Sequence, residues 1–242
     1  LVTKPTYDGG LGFGFKWNMG WMNDMLGYMS TDPLFRKGRH NDLTFSLTYA
    51  FSEKYILVLS HDEVVHLKCS MLTKMPGYKV DKFANLKMAY TYMFGHPGKK
   101  LLFMGQDFAQ YDEWNANKEL DWYLVDFVQN NKNMQTFVKD LLHIYRSYPA
   151  LYEQDFTYDG FEWVNCNDWS NSEISFIRKP STPGEKYLLF VCNFVPCPHE
   201  NFMIGVPCRG EYKLVINSDD MKYGGTGNYY QEKLVAEERE AD

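Results

Sequence analysis

No apolar run in this chain of 242 residues approaches the roughly 20 residues that a membrane-crossing helix needs, and no secretory signal pattern is visible at its start, so no membrane partner is expected. Basic clusters are missing too. Lys and Arg number 25 against 31 Asp and Glu, a formal charge of −6. With no Lys/Arg stripe to follow a phosphate backbone, a nucleic-acid partner is not expected either. Cysteines are few and odd in number: Cys69, Cys166, Cys192, Cys197 and Cys208 contain no Cys-x-x-Cys pair. That points away from a disulfide framework and towards reduced thiols in the cytosol. The glycine-rich segment 5–16 lacks the Lys-Ser/Thr of a phosphate loop and reads as a turn or a substrate-facing loop, and no cofactor is expected.

What the chain does have is one abrupt switch from apolar to charged. Tyr55-Ile56-Leu57-Val58-Leu59 suits a strand buried on both faces, and Ser60-His61-Asp62-Glu63 follows at once. Charge at the carboxyl end of a parallel strand is where α/β folds place their chemistry, although a strand returning to solvent also ends in polar residues. His61 and His66 flank two acids, but at a spacing of five they fall on different faces of a helix turning about 100° per residue. They do not match the helical zinc pair, and no metal is expected. Aromatic residues make up 17% of the chain, enough for sugar stacking as well as for a core.

Along the chain, 15–18 reads as a short strand and Gly20–Met29 as a helix closed by Pro33. A second helical segment runs from Asp42, as N-cap, to Phe51. After strand 55–59, Asp81 is expected to cap a helix with Phe83, Leu86, Met88, Ala89, Tyr92 and Met93 at helical spacing, ended by Gly95, Pro97 and Gly98. Leu101–Met104 reads as a second buried strand, followed by Gly105-Gln106-Asp107. About 40 residues separate the two strands, enough for a βαβ crossover. Asn131–Tyr148 is a further helix, with Phe137, Leu141, Leu142 and Tyr145 on one face and Pro149 beyond it. From about residue 155 helical periodicity gives way to short strands at 161–164, 174–177, 187–192, 201–204 and 212–216, the pattern of an antiparallel β-sandwich. The acids near the C-terminus (Glu237 to Asp242) read as a solvated tail.

Three parallel strands leave two exposed edges and little shared core, whereas an eight-fold barrel takes about 250 residues by itself. The expected fold class is therefore α/β plus all-β: the last three strands or so of a (β/α)8 barrel over 1–153, then a small antiparallel sandwich over 154–242. A first residue of Leu rather than Met fits a chain that begins inside a longer polypeptide.

Several motifs carry a family resemblance. Gly12-Phe13-Gly14-Phe15-Lys16-Trp17-Asn18-Met19-Gly20-Trp21-Met22, His40-Asn41-Asp42 and Leu59 to His66 are joined by Met75-Pro76-Gly77, Phe83-Ala84-Asn85-Leu86 and Pro97 to Gly105. Phe108-Ala109-Gln110, Glu113-Trp114-Asn115, Leu120-Asp121-Trp122, Asn217-Ser218-Asp219 and Tyr223-Gly224-Gly225 continue the series. Together they resemble bacterial-type 1,4-α-glucan (glycogen) branching enzymes of the α-amylase superfamily over nearly the whole chain. The resemblance implies a retaining transglycosylase that cuts an α-1,4 bond and moves the chain to a glucan 6-hydroxyl, making α-1,6 branches. Asp62 would match the family's transition-state-stabilising carboxylate and His61 the histidine that bonds the same sugar, both catalytic. The family's nucleophile Asp and acid/base Glu fall in segments expected before Leu1, so this chain alone would be inactive. Its partners would be α-1,4-glucan or glycogen and the remainder of the same polypeptide.

Other residues near these motifs are open to two roles. Glu63 would contact acceptor glucan or stand as a solvated carboxylate. Trp17, Trp21 and Trp114 would stack on glucose rings or pack in the core. Asn18, Gln106 and Asp107 follow strands and would line the cleft. An α-glucan hydrolase or debranching enzyme of the same superfamily, or a non-catalytic glucan-binding segment, are the alternative readings.

Overall fold

Leu57, Val58 and Leu59 are essentially without solvent contact, and that two-sided burial makes β2 (Tyr55–Leu59) the centre of a parallel sheet in the computed structural model. The structure describes residues 1–228 and 231–238. β1 (Lys16–Trp17) lies along one side of β2, Lys16 opposite Tyr55, and β3 (Lys99–Leu102) along the other, Ile56 opposite Lys99 and Leu59 opposite Leu102. All three strands therefore end at the same edge. β3 starts two residues earlier than the apolar run at 101–104 indicates. Its lysines are accepted in a strand because their ammonium groups have partners: Lys99 at Asp155 and Tyr152, Lys100 at the carbonyls of His96 and Gly98.

The connecting helices follow from local chemistry. α1 (Met19–Ser30) begins where the Asn18 side chain accepts the Trp21 amide at 2.9 Å. Pro33 does not close it. Pro33 opens a 3-10 turn whose start is capped by Asp32, which accepts the Leu34 amide at 2.9 Å. The helix expected over 42–51 shortens to α2 (Asn41–Thr44) and a 3-10 turn at Phe45–Thr48. Asp42 does not cap it, because its carboxylate is committed to Arg39 at 2.7 Å. α3 (Met71–Lys74) is a single turn capped by Ser70.

α4 (Lys79–Gly95) begins two residues before Asp81, which sits inside the first turn and accepts the Tyr78 amide at 3.0 Å. α5 (Tyr123–Phe127) leads into α6 (Gln129–Ser147), which buries Met134, Phe137, Val138 and Leu141. Leu142, expected on the same face, is 47% exposed. No described helix is long and apolar enough to cross a membrane.

The second part is antiparallel. β4 (Phe161–Asp168), β5 (Glu173–Arg178) and β6 (Leu188–Asn193) form a sheet in that order, with β5 buried along its whole length. β7 (Gly210–Lys213) and β8 (Lys233–Ala236) form a separate two-stranded sheet. The strand expected at Asn201–Ile204 is not formed, and the one expected at 212–216 lies over 210–213. β8 takes up residues just before the acids expected to form a tail, of which 239–242 lie outside the described residues.

The two parts share one core. Phe176 of β5 stacks on Phe190 of β6 at 4.9 Å and 5°, and Tyr92 of α4 meets it edge-on at 6.4 Å. Gly95 ends α4 against these rings: a Cβ there would lie 2.7 Å from Phe190 and 2.8 Å from Phe176. All five cysteines are free thiols.

Candidate functional site

The edge at which the parallel strands end collects Asn18, the segment Ser60 to Glu63, and Gln106. Beyond β2 the chain makes a 3-10 turn at His61–Glu63. Two reciprocal bonds fix it: the Ser60 hydroxyl accepts the Asp62 amide at 3.2 Å, and the Glu63 carboxylate accepts the Ser60 amide at 2.5 Å. Glu63 is therefore buried and locked into the turn, and is not a solvated carboxylate. The same lock turns its two neighbours outward. The Asp62 side chain is 52% exposed and that of His61 46%, with Nε2 of the imidazole 3.4 Å from Oδ1 of the carboxylate. The His61 ring is flanked by Phe103 at 5.8 Å and Trp114 at 6.0 Å, themselves edge-to-face at 5.1 Å.

Asp62 and Glu63 border an open cleft of about 420 Å³, lined also by Met19, Met22, Asn23 and Leu26 of α1 and by Lys68 and Lys74. Burial lowers the Lys74 pKa, while Cys69, Glu63 and Glu113 act to raise it. The cleft thus offers an exposed carboxylate, the two lysine side chains and a hydrocarbon wall, and the His61 imidazole with its flanking rings stands next to Asp62.

The remaining residues singled out by sequence divide. Trp17, at the end of β1, keeps part of its ring in solvent, and Trp114 is half-buried beside His61. Trp21 is 1% exposed, inside the core and 6.0 Å from the His96 ring. Of the two roles open to it, the structure gives packing, because a ring without a free face cannot stack on a ligand. Asn18 is 2% exposed, its Oδ1 taking the Trp21 amide and the Tyr49 hydroxyl while Nδ2 finds no acceptor. Gln106, 4% exposed, reaches the Ser60 carbonyl only at 3.5 Å, and its Oε1 is likewise unpartnered. Both support the edge from below and neither opens onto the cleft. Asp107 is half-buried.

Sequence reasoning passed over Lys68, Lys74 and Asn23. None has a periodicity or spacing of its own; Asn23 lies on α1, and Lys68 and Lys74 meet it at the cleft because the segment after β2 folds back towards that helix.

Comparison with known proteins gives consistent results. Residues 163–242 match the family described as alpha amylase, C-terminal all-beta domain. Over 235 residues, 97% of its length, the chain is 54% identical to the 1,4-alpha-glucan branching enzyme GlgB of Butyrivibrio fibrisolvens, covering 36% of that protein. It is 54% identical over 226 residues to the enzyme of the same name from Gloeobacter violaceus, covering 93% of this chain and 31% of that one. The Aquifex aeolicus enzyme of that name is 52% identical over 227 residues, 94% of this chain and 36% of the relative. The chain thus spans about a third of the length of the curated relatives it matches.

Proposed function

The chain is related by sequence to the bacterial-type 1,4-alpha-glucan branching enzymes, and from that premise we propose that it forms the C-terminal part of one, with Asp62 and His61 as its share of the catalytic machinery. On this reading residues 1–153 are the closing part of a (β/α)8 barrel and residues 154–242 its C-terminal β domain. The outer edges of β1 and β3 would then meet the remaining strands of the same polypeptide.

The chemistry is retaining transglycosylation of α-glucan. A carboxylate from the rest of the barrel attacks the anomeric carbon as the α-1,4 bond breaks, and a carboxylic acid about 5 Å away protonates the departing oxygen. The covalent glycosyl-enzyme is then opened by the 6-hydroxyl of an acceptor glucan, whose proton passes to the same acid/base group. Asp62 accepts ring hydroxyls of the distorted sugar and opposes the positive charge that develops on it, while His61 donates to the same ring. With the nucleophile and the acid/base on other segments, the 242 residues alone are expected to be inactive. Trp17 and Trp114 offer faces for further glucose units.

The observation that carries this reading is the turn after β2: a buried Glu63 cap that holds an exposed carboxylate and imidazole 3.4 Å apart at the carboxyl end of a buried parallel strand. The test is Asp62→Asn in the polypeptide that carries this chain, assayed on linear α-1,4-glucan. Branching is expected to fall by at least ~100-fold with the melting temperature unchanged, because the Asp62 side chain is half in solvent. Near-normal branching would remove the role given to Asp62. An unsubstituted polypeptide that raises reducing ends without new α-1,6 linkages would instead be a hydrolase, and one that binds glycogen without turnover a binding module.

A further inference from the structure

Glu113 lies in the loop after β3, yet its carboxylate is seated in the loop after β2. One oxygen accepts the Leu67 amide at 2.9 Å and the other the Cys69 amide at 2.6 Å. Leu67 and Cys69 both hold left-handed backbone, φ 68° and 65°, which an L side chain disfavours and which persists only where surrounding contacts impose it. Amides presented by such a path form a small anion cradle, and here a carboxylate from the same chain fills it. Those amides hold the Glu113 carboxyl below the ordinary carboxylate range. The neighbouring residue repeats the tie: the Trp114 amide donates to the Val64 carbonyl at 2.8 Å, and its ring stands edge-on to His61.

The segment held in this way carries Lys68, which walls the cleft beside Asp62 and whose carbonyl receives the Lys74 ammonium. We propose that Glu113 is a positioning residue for the candidate site. By accepting the Leu67 and Cys69 amides it imposes the backbone path that sets Lys68 at the cleft, and with Trp114 it braces the segment from His61 to Val64. Glu113 touches no ligand in this scheme and acts through the loop. The activity arm of the test rests on the branching reading, whereas the exchange arm does not.

Glu113→Gln leaves one acceptor oxygen for two amides and removes the charge that strengthens both bonds. In the polypeptide carrying this chain, exchange of the Leu67 and Cys69 amides should quicken by about tenfold, and branching kcat on amylose should fall by a similar ~10-fold factor. KM and the melting temperature should be little changed. Leu67→Gly, added to Glu113→Gln, should restore part of the lost kcat, because glycine takes the left-handed path without steric cost. A Glu113→Gln protein that exchanges and turns over like its parent overturns the proposal. So does a loss of kcat that Leu67→Gly leaves untouched. If the unsubstituted polypeptide makes no branches, the functional reading fails and amide exchange alone decides the role of Glu113: unchanged exchange overturns it, faster exchange sustains it.

Discussion

His96 is buried beside Trp21 and Tyr92, and its protonation state follows from its partners. Nδ1 lies 2.8 Å from the Pro97 carbonyl, which can only accept, so Nδ1 carries the proton and Nε2 accepts from the Ser46 hydroxyl at 2.8 Å. The ring is neutral. Burial pushes its pKa down to about 3, the Pro97 bond opposes that, and the Lys100 and Arg178 cations add to it. In the unfolded chain the same ring protonates near its ordinary 6.5. Between the two values the unfolded state binds more protons, so the stability His96 contributes is complete above 6.5 and is lost as pH falls towards 3. Urea unfolding at pH 8, 7, 6 and 5 should show midpoints falling, the step from 8 to 7 carrying the part set by Lys100, whose pKa burial lowers to about 7, and the last two steps the part set by His96. His96→Gln should cost ~1–3 kcal/mol at pH 8 but flatten that drop. An equally steep drop in the variant would assign the acid sensitivity to other groups.

At the level of the element, the turn that ends β2 is stabilised by its own capping box. Glu63→Ala removes the acceptor for the buried Ser60 amide and should cost ~1–2 kcal/mol; Glu63→Gln retains an acceptor oxygen and should cost well under half of that, both read by thermal unfolding. Equal losses would mean that the charge of Glu63, rather than its bond to Ser60, holds the turn. This element also shows what a sequence discloses. β2 was legible because burial on both faces leaves an unbroken apolar run, and the exposed position of Asp62 and His61 because polarity switches at its end. The role of Glu63 was hidden, since a capping carboxylate and a solvated one look alike in a string of letters. Glu113 was hidden for a different reason: the amides it serves lie 44 and 46 residues away. The strand expected at Asn201–Ile204 failed because alternation is necessary for pairing but does not supply a partner, whereas β8, with Leu234 and Val235 exposed next to acids, offered no burial pattern to read.

At the scale of the molecule, the α/β part and the antiparallel part are joined by a shared aromatic core and by one buried ionic cluster beside it. Asp155, in the segment leading into β4, accepts Arg178 of β5 at 2.8 Å and Lys99 of β3 at 2.9 Å, and neither Asp155 nor Arg178 meets solvent. Arg178 also donates to the carbonyls of Gly95, at the end of α4, and of Gly160. One guanidinium thus ties the end of α4, the linking segment and the central antiparallel strand. Burial alone would raise the Asp155 carboxyl; Lys100, Arg178 and Lys99 outweigh it and hold it below the ordinary carboxylate range. The stability this gives is present above the unfolded value of 3.8 and is lost as pH falls through the lower folded value. Asp155→Asn leaves Arg178 buried without a counter-charge, which should cost ~3–5 kcal/mol and lower the melting temperature by about 10 °C. Replacing both partners with apolar residues, Asp155→Leu with Arg178→Met, should recover only part of that loss: it removes the unpaired charge, but the Gly95 and Gly160 carbonyls lose their donor and Lys99 its carboxylate. The coupling between parts is read in the same experiment: with the pair intact, near-UV circular dichroism and far-UV circular dichroism should melt together. In Asp155→Asn the tertiary signal should be lost first. Coincident melting in that variant would show that the two parts stay joined without the Asp155 cluster, through the aromatic core and contacts such as Arg36 with the Phe194 carbonyl and Lys87 with the Tyr223 carbonyl.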